Sequence, residues 1–454
     1  MDGWADQGEP DVDCGGPCTK KCADSMKCLK STDCQSGICL QGTCSPTSIC
    51  SDGMKDGDET DVDCGGQCTA CTFGKACVKP TDCRSGSCTT SMCAALKPSL
   101  TAGRGVPLGT QPVAVVAVDL DGDRITDLAA ISGGEDKLSV ALGKADAKYG
   151  TPVAVACPQI IGPDNFTAGD VDGDGKPDLI VTAGGKALVL YNASTPGMLS
   201  LKAPKEIGAV GSTPAAPVLV DIDGDKKLDL VNLDADYDFN NNGYQMFVTL
   251  NGTVTTGMGA WKSPRRVGVG SDGATSPVVA DFNDDGKLDL GVLAAGKVQI
   301  APGRGDGGFN SWMASSVGTF TVVRIGAADF DPDNHVDVAA IDRRTPALGV
   351  MAGYGDGTLT KVIKQTAPMG PIWLVVADFD LDDKPDVATL NGDDDTVSLH
   401  LGQGLRKLAA GPTATAGTSP NMIVAADLNG DGRLDVVAAN PGSDQVTVIL
   451  NSSK

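Results

Sequence analysis

Asp170–Asp178 reads D-V-D-G-D-G-K-P-D. Carboxylates at positions 1, 3, 5 and 9, with a main-chain carbonyl at position 7, can surround one hard cation. Calcium takes roughly six to eight oxygen ligands and selects flexible, closely spaced carboxylates. The same nine-residue pattern begins at Asp119, Asp170, Asp221, Asp281, Asp329, Asp378 and Asp427, at intervals of 51, 51, 60, 48, 49 and 49 residues. Seven copies in near-constant register define a repeating architecture, not an isolated site.

The expected ligand sets follow by position, the fourth residue of each set offering its carbonyl. They are Asp119, Asp121, Asp123, Ile125 and Asp127; Asp170, Asp172, Asp174, Lys176 and Asp178; and Asp221, Asp223, Asp225, Lys227 and Asp229. The fourth and fifth are Asp281, Asn283, Asp285, Lys287 and Asp289, and Asp329, Asp331, Asp333, His335 and Asp337. The last two are Asp378, Asp380, Asp382, Lys384 and Asp386, and Asp427, Asn429, Asp431, Arg433 and Asp435. Four carboxylates within ~5 Å repel by roughly 3 kcal/mol per pair at an effective dielectric of 20. Calcium binding, up to seven ions, is therefore expected to be coupled to local folding. Asn283 and Asn429 remove one charge from their loops, and Arg124 and Lys226 stand at position 6, where Gly175, Gly286 and Gly432 adopt positive φ more easily.

The net charge of −22 argues against nucleic acid as a partner. The acidity is local: 26 Asp sit at the ligand positions, and seven calcium ions would bring the charge to about −8. No run of 18 apolar residues is present, so no helical membrane span is expected.

The flanks of each loop are short apolar runs, such as A-P-V-L-V-D before and D-L-V-N-L after. A third run follows a polar turn and a weaker fourth leads to the next loop. Runs of this kind bounded by Gly, Asp and Asn are strands, and their lack of strict alternation places neighbouring sheets on both faces. Four strands per roughly 50 residues is the period of a propeller blade. EF-hands are excluded, because position 12 is Ala130, Val181, Asn232, Val292, Ala340, Thr389 and Ala438 and never Glu. The fold class is all-β, a seven-bladed β-propeller over residues 99–454. Leu100–Pro112 resembles a fourth strand and is expected to complete the last blade, leaving no open edge.

Residues 1–95 hold 15 of the 16 Cys and form a duplication, with modules at 1–48 and 49–95. S-T-D-C-Q-S-G-I-C at Ser31–Cys39 matches P-T-D-C-R-S-G-S-C at Pro80–Cys88. The second module has eight Cys and the first seven, the counterpart of Cys50 falling before Met1. The chain is therefore expected to begin inside a module, with a leader upstream. Disulfides of unreadable connectivity are expected, and zinc at Cys68-x-x-Cys71 is the rival reading. Asp56, Asp58, Asp61 and Asp63 offer either a further cation site or a solvated acidic loop.

The aspartate loops, their flanking strands and the turns G-R-G-D-G-G-F (Gly303–Phe309) and G-Y-G-D-G-T-L (Gly353–Leu359) resemble FG-GAP/VCBS repeats, the seven-bladed propeller also seen in integrin α-subunits. The cysteine-rich region resembles disulfide-rich repeats of secreted bacterial surface proteins. The resemblance implies calcium loops joining the first and second strands on one face, with ligands bound on the opposite face. Arg304-Gly305-Asp306 lies inside the repeat's own turn and is read as repeat grammar. Cys157 is expected to be a buried thiol. The extra length of the third repeat is Asp234–Tyr244, expected as a long second-to-third-strand loop. Its Asp234, Tyr237, Phe239 and Tyr244 are the ligand-binding candidates.

The expectation is a monomeric, calcium-stabilised, secreted or cell-surface binding protein for an extracellular protein or glycan, with no catalytic residues. The alternatives are a polysaccharide lyase on a propeller scaffold and a purely structural envelope component.

Overall fold

The computed structural model describes Cys14 and residues 21–453, apart from 24–25, 36–38, 41, 45–48, 52, 56–58, 67, 134–136, 157–162, 213, 239–242, 254–259, 271–272 and 319. Cys157, Phe239, Asp56 and Asp58 lie outside the described residues, as does the side chain of Tyr237. Two compact units are present, one of Met1–Lys97 with Asp380–Asp383, the other of Pro98–Phe379 and Lys384–Lys454.

The cysteine-rich unit is organised by its disulfides. Cys14–Cys22, Cys28–Cys39 and Cys34–Cys44 of the first copy correspond in order to Cys64–Cys71, Cys77–Cys88 and Cys83–Cys93 of the second, which adds Cys50–Cys68. Cys68 and Cys71 thus belong to different disulfides, and both are spoken for. The shared T-D-C motif has one job in both copies. Asp33 accepts the amides of Leu29 and Lys30, and Asp82 those of Val78 and Lys79, closing matching short turns. The acidic run is also structural where described: Asp63 accepts the Gly53 amide and Asp61 the Ala76 amide.

The second unit is a ring of seven four-stranded antiparallel sheets. Blade one is Pro112–Val118, Asp127–Ser132, Lys137–Ala141 and Val153–Ala156, from the inner strand to the outer. Blades two to six repeat this order, with inner strands Pro163–Gly169, Pro214–Val220, Ala274–Ala280, Val322–Ala328 and Pro371–Ala377. Blade seven joins Met422–Ala426, Asp435–Asn440 and Gln445–Ile449 to Arg104–Val106, pairing Val446 with Val106 and Val448 with Arg104. The seam continues through Leu100 opposite Asn451 and the Ser452 amide on the Ser99 carbonyl at 2.8 Å. The first-made strand therefore closes the ring, as expected from Leu100–Pro112.

Seven hydrophobic clusters fill the seven gaps between neighbouring blades. The second strand shows why the sequence lacks alternation. Along Asp127–Ser132 every residue is buried, but Leu128 and Ala130 face blade seven while Ala129 and Ile131 face blade two. Each face is covered by a different neighbour, so Ala, Val, Leu and Ile serve at successive positions.

One expectation changes here. Asp234–Tyr244 is not simply a long loop: the second strand of blade three runs through Asp229–Asp238 and the third starts at Gly243. The register shifts between Asp234 and Asp238, so the extra residues lengthen a hairpin. Strand pairing satisfies backbone groups that a free loop would have to leave to solvent.

Candidate metal centre

Each aspartate loop connects an inner strand to its second strand, so all seven emerge at one end of the ring. The position-9 Asp is the first residue of the second strand in every blade and is buried to 1% exposure or less. One of its oxygens accepts the amide of the residue after the first Asp, at 2.7–3.2 Å. The other accepts the amide of a residue at or just past the end of the third strand, at 2.6–2.8 Å. This carboxylate thus ties three segments of its blade together, a role that its ligand spacing did not reveal.

The remaining carboxylates are folded inward by local hydrogen bonds. In six loops the first Asp accepts the amide of position 6. In the same six the fifth accepts the amide of position 7. Position 6 takes a left-handed conformation even where it is Arg124 (φ 70°) or Lys226 (φ 67°), so these loops hold strain that glycine avoids elsewhere.

The donor set fits a hard cation. Oxygens of Asp119, Asp121 and Asp127 lie within 4.8 Å of one another, as do those of Asp170, Asp172 and Asp178. At position 3, Asp223 Oδ1 and Asp331 Oδ1 are buried without a hydrogen-bond partner. A buried carboxylate oxygen left unpaired costs about 1–3 kcal/mol or more, and a cation is the partner that this geometry accommodates.

Burial pushes six of the position-9 carboxyls, Asp127, Asp178, Asp229, Asp289, Asp337 and Asp435, above the usual range, against the pull of their two amide hydrogen bonds and with the neighbouring carboxylates adding to the rise. Asp127, Asp229 and Asp337 are raised to about 6, and Asp178 and Asp435 to about 7. Between pH 4 and 7 the metal-free folded chain therefore binds more protons than the unfolded one, and its stability falls as pH rises through that window. The metal-free protein is expected to melt at a higher temperature at pH 5 than at pH 7.5, with excess calcium reversing the trend. A flat metal-free profile in thermal scans over this range contradicts the assignment.

Substitution separates the two roles of these carboxylates. Asp178→Ala strands the buried amides of Val171 and Asn192, and is expected to cost about 2–4 kcal/mol with or without calcium. Asp172→Ala removes an acceptor for only the Asp174 amide, so its cost is expected to appear chiefly when calcium is present. Denaturant titrations in calcium and in EDTA check both, and equal costs for Asp172→Ala in the two media contradict the distinction.

The residue at or just past the end of each third strand escaped the sequence reading. It is Gly143, Asn192, Asn251, Gly303, Gly353, Gly402 or Asn451. At Gly303, Gly353 and Gly402 a Cβ would meet a backbone oxygen at 2.0–2.4 Å. Where Asn stands, its side-chain amide reaches the loop of the preceding blade, bonding the carbonyls of Leu120, Val171 and Phe379 at 2.7–2.9 Å. These Asn are buried to 1% or less. The signal is present in the sequence as N-A-S, N-G-T and N-S-S at these three positions.

The remaining sequence candidates fall as follows. The Arg304 amide bonds the Gly308 carbonyl and Asp306 accepts the Gly308 amide, so Arg304–Asp306 forms the repeat turn. His335 meets Asp284 of the adjacent loop at 2.5 Å, and His400 is buried against the Thr389 hydroxyl. Asp234 is buried and accepts the amides of Ser212 and Asp236, while Tyr244 packs against the cluster between blades three and four.

A model of the FG-GAP-like repeat matches residues 119–181, 170–231, 281–340 and 378–438, together about half the chain. No curated protein matches it. Among solved structures, BBS1N in complex with ARL6DN is 12% identical, with a TM-score of 0.50 over 78% of this chain and 98% of that one. An Agrocybe aegerita lectin described as recognising non-reducing terminal N-acetylglucosamine is 17% identical, with a TM-score of 0.48 over 67% and 80%. The WD40 domain of Toxoplasma gondii coronin is 10% identical, with a TM-score of 0.49 over 78% and 88%.

Proposed function

The chain belongs to the FG-GAP-like repeat family, and from that premise we propose a calcium-stabilised extracellular binding protein. Its ligand is a protein or glycan, held on the end of the ring opposite the aspartate loops. The position-1, -3, -5 and -9 carboxylates and the position-7 carbonyls would hold the calcium, which when bound supplies charge neutralisation and crosslinks each loop. The observation that carries this reading is the division of labour between the two ends. The aspartate end is consumed by hydrogen bonds that build the blades, whereas the connections between second and third strands differ from blade to blade. Variable connections on a rigid ring are where recognition is built.

The cysteine-rich unit supports the extracellular setting, because seven disulfides persist in an oxidising compartment. No helix among the described residues is long and apolar enough to cross a membrane. A binder is favoured over an enzyme because the two histidines serve structural contacts, one between loops and one in a blade core.

Arrays of extracellular-matrix proteins and glycans, probed with the full chain in calcium and in EDTA, test the proposal. Saturable binding to one class that disappears in EDTA is the expected result. Cleavage of an acidic polysaccharide, or no binding to either panel in calcium, overturns it.

A further inference from the structure

Five residues before each first Asp, the inner strand carries Ala114, Asn165, Ala216, Ser276, Arg324, Trp373 and Met422 in blades one to seven. Arg324 and Trp373 break a pattern of mostly small residues. They are adjacent in the ring, and the Arg324 guanidinium lies over the Trp373 ring at 3.9 Å. Both stand just past the register shift of their strands, Val322/Arg324 and Pro371/Trp373, near the end opposite the aspartate loops.

Beside them opens a cavity of about 350 Å³, walled by Leu233, Ala274, Val323 and Ile372, with Arg324 inside and Arg343 also in its lining. Among the described residues Arg324 has no hydrogen bond or ion pair. Burial alone lowers its pKa, to about 10. The nearby carboxylates have other partners: Asp342 accepts the Thr345 hydroxyl and the Thr321 amide, and Asp393 pairs with Arg343 at 3.2 Å. Arg324 is half-buried, and a partly desolvated cation without a counter-ion carries a cost that a small residue, as in most other blades, would avoid. Stacking engages the face of the guanidinium and leaves its edge donors free for a planar two-oxygen acceptor.

We propose that this cavity binds the carboxylate of a peptide ligand, with Arg324 as its receptor and the apolar wall taking the adjoining side chain. The cavity deepens the binding reading above and rests on it. The wall favours a peptide over an acidic sugar. It offers few polar groups for sugar hydroxyls, and the Ser276 hydroxyl is already engaged with the amide and carbonyl of Ile325. Arg343, half-exposed and paired with Asp393, is a secondary contributor.

Calorimetry on the full chain in excess calcium tests this with three probes: acetyl-Ala-Leu with a free carboxylate, the same peptide as its C-terminal amide, and D-glucuronate. The acid is expected to bind about tenfold or more tighter than the amide, the worth of a charge-assisted hydrogen-bond pair. Arg324→Met removes that preference, whereas Arg343→Gln keeps it within about threefold of wild type. Without peptide, Arg324→Met is expected to melt no lower than wild type, since an unpaired, partly desolvated charge has gone. The cavity assignment is overturned if acid and amide bind alike, if neither binds, if Arg324→Met keeps the preference or melts lower, or if glucuronate binds more tightly than the peptide. Because the array experiment is read on different ligands and on calcium dependence, failure here leaves the broader binding proposal standing on its own result.

Discussion

Chelation with EDTA is expected to lower the melting temperature of the propeller by roughly 20–30 °C. The estimate follows from mass action. A ligand present at about 100 times its dissociation constant stabilises the folded state by about 2.7 kcal/mol per site, provided it does not bind the unfolded chain. Seven sites give on the order of 19 kcal/mol, and a domain of this size shifts by roughly 1–2 °C per kcal/mol. Two features of the loops make the coupling strong. Six of the position-9 carboxyls are buried and raised in pKa, so in the metal-free chain they are either protonated or costly. The Oδ1 atoms of Asp223 and Asp331, whose Oδ2 atoms face Lys262 and Arg406, have no hydrogen-bond partner and would gain a contact from a bound cation. Thermal scans in calcium, in EDTA and after calcium is restored check the shift, and an unchanged melt in EDTA refutes the coupling. Magnesium should substitute poorly, because it prefers a rigid octahedron with retained waters.

The second large effect is expected at the seam. Removing residues 98–107 takes away the outer strand of blade seven, with its ladder to Val446–Val448 and the Ser99 and Thr101 hydrogen bonds beyond it. It also uncovers the third strand of blade seven and removes Val106 from the cluster between blades seven and one. The cost should reach at least about 5 kcal/mol, from several hydrogen bonds and the burial of Val106 together. The exposed edge should also drive self-association. Denaturation midpoint and light scattering check the two consequences separately. A milder form is Gly103→Val, whose Cβ would meet Thr447 Cγ2 at 2.4 Å and the Thr415 carbonyl oxygen at 2.7 Å. If truncation leaves both midpoint and solubility unchanged, the seam is not what holds the ring.

Most of the fold was legible because the repeat grammar is local. Asp170–Asp178 and its six counterparts mark every turn from inner to second strand, and the apolar runs beside them mark the strands. The closing strand was legible from Leu100–Pro112, since that segment resembles the fourth strand that precedes every other aspartate loop and a three-stranded blade seven needs a fourth strand. Features decided by contact between blades were harder to read. The role of Asn192, Asn251 and Asn451 shows only once the neighbouring loop supplies the carbonyls that they bond. Arg324 and Trp373 read as ordinary strand residues, because nothing local shows that adjacent blades bring them face to face. The hairpin of Asp229–Asp238 with Gly243–Thr249 differs from the expected loop for a related reason. Asp and Asn in D-A-D-Y-D-F-N-N-N-G-Y suggest a loop, yet Asp234 is buried in the strand, where it accepts the amides of Ser212 and Asp236.

The pairing of Arg104–Val106 with Gln445–Ile449 also sets an order of events during synthesis. The outer strand of blade seven leaves the ribosome before any blade exists, and its partner Gln445–Ile449 follows only after six blades have been made. Six blades can assemble from contacts within about 50 residues, but the seam joins positions more than 300 residues apart and must wait for the whole propeller. Closing so long a loop carries a high entropic cost and makes such topologies slow to fold. Until then both ends of the growing ring expose strand edges to any neighbouring chain. The contact that gives the finished ring its durability therefore makes the nascent chain most vulnerable just before completion.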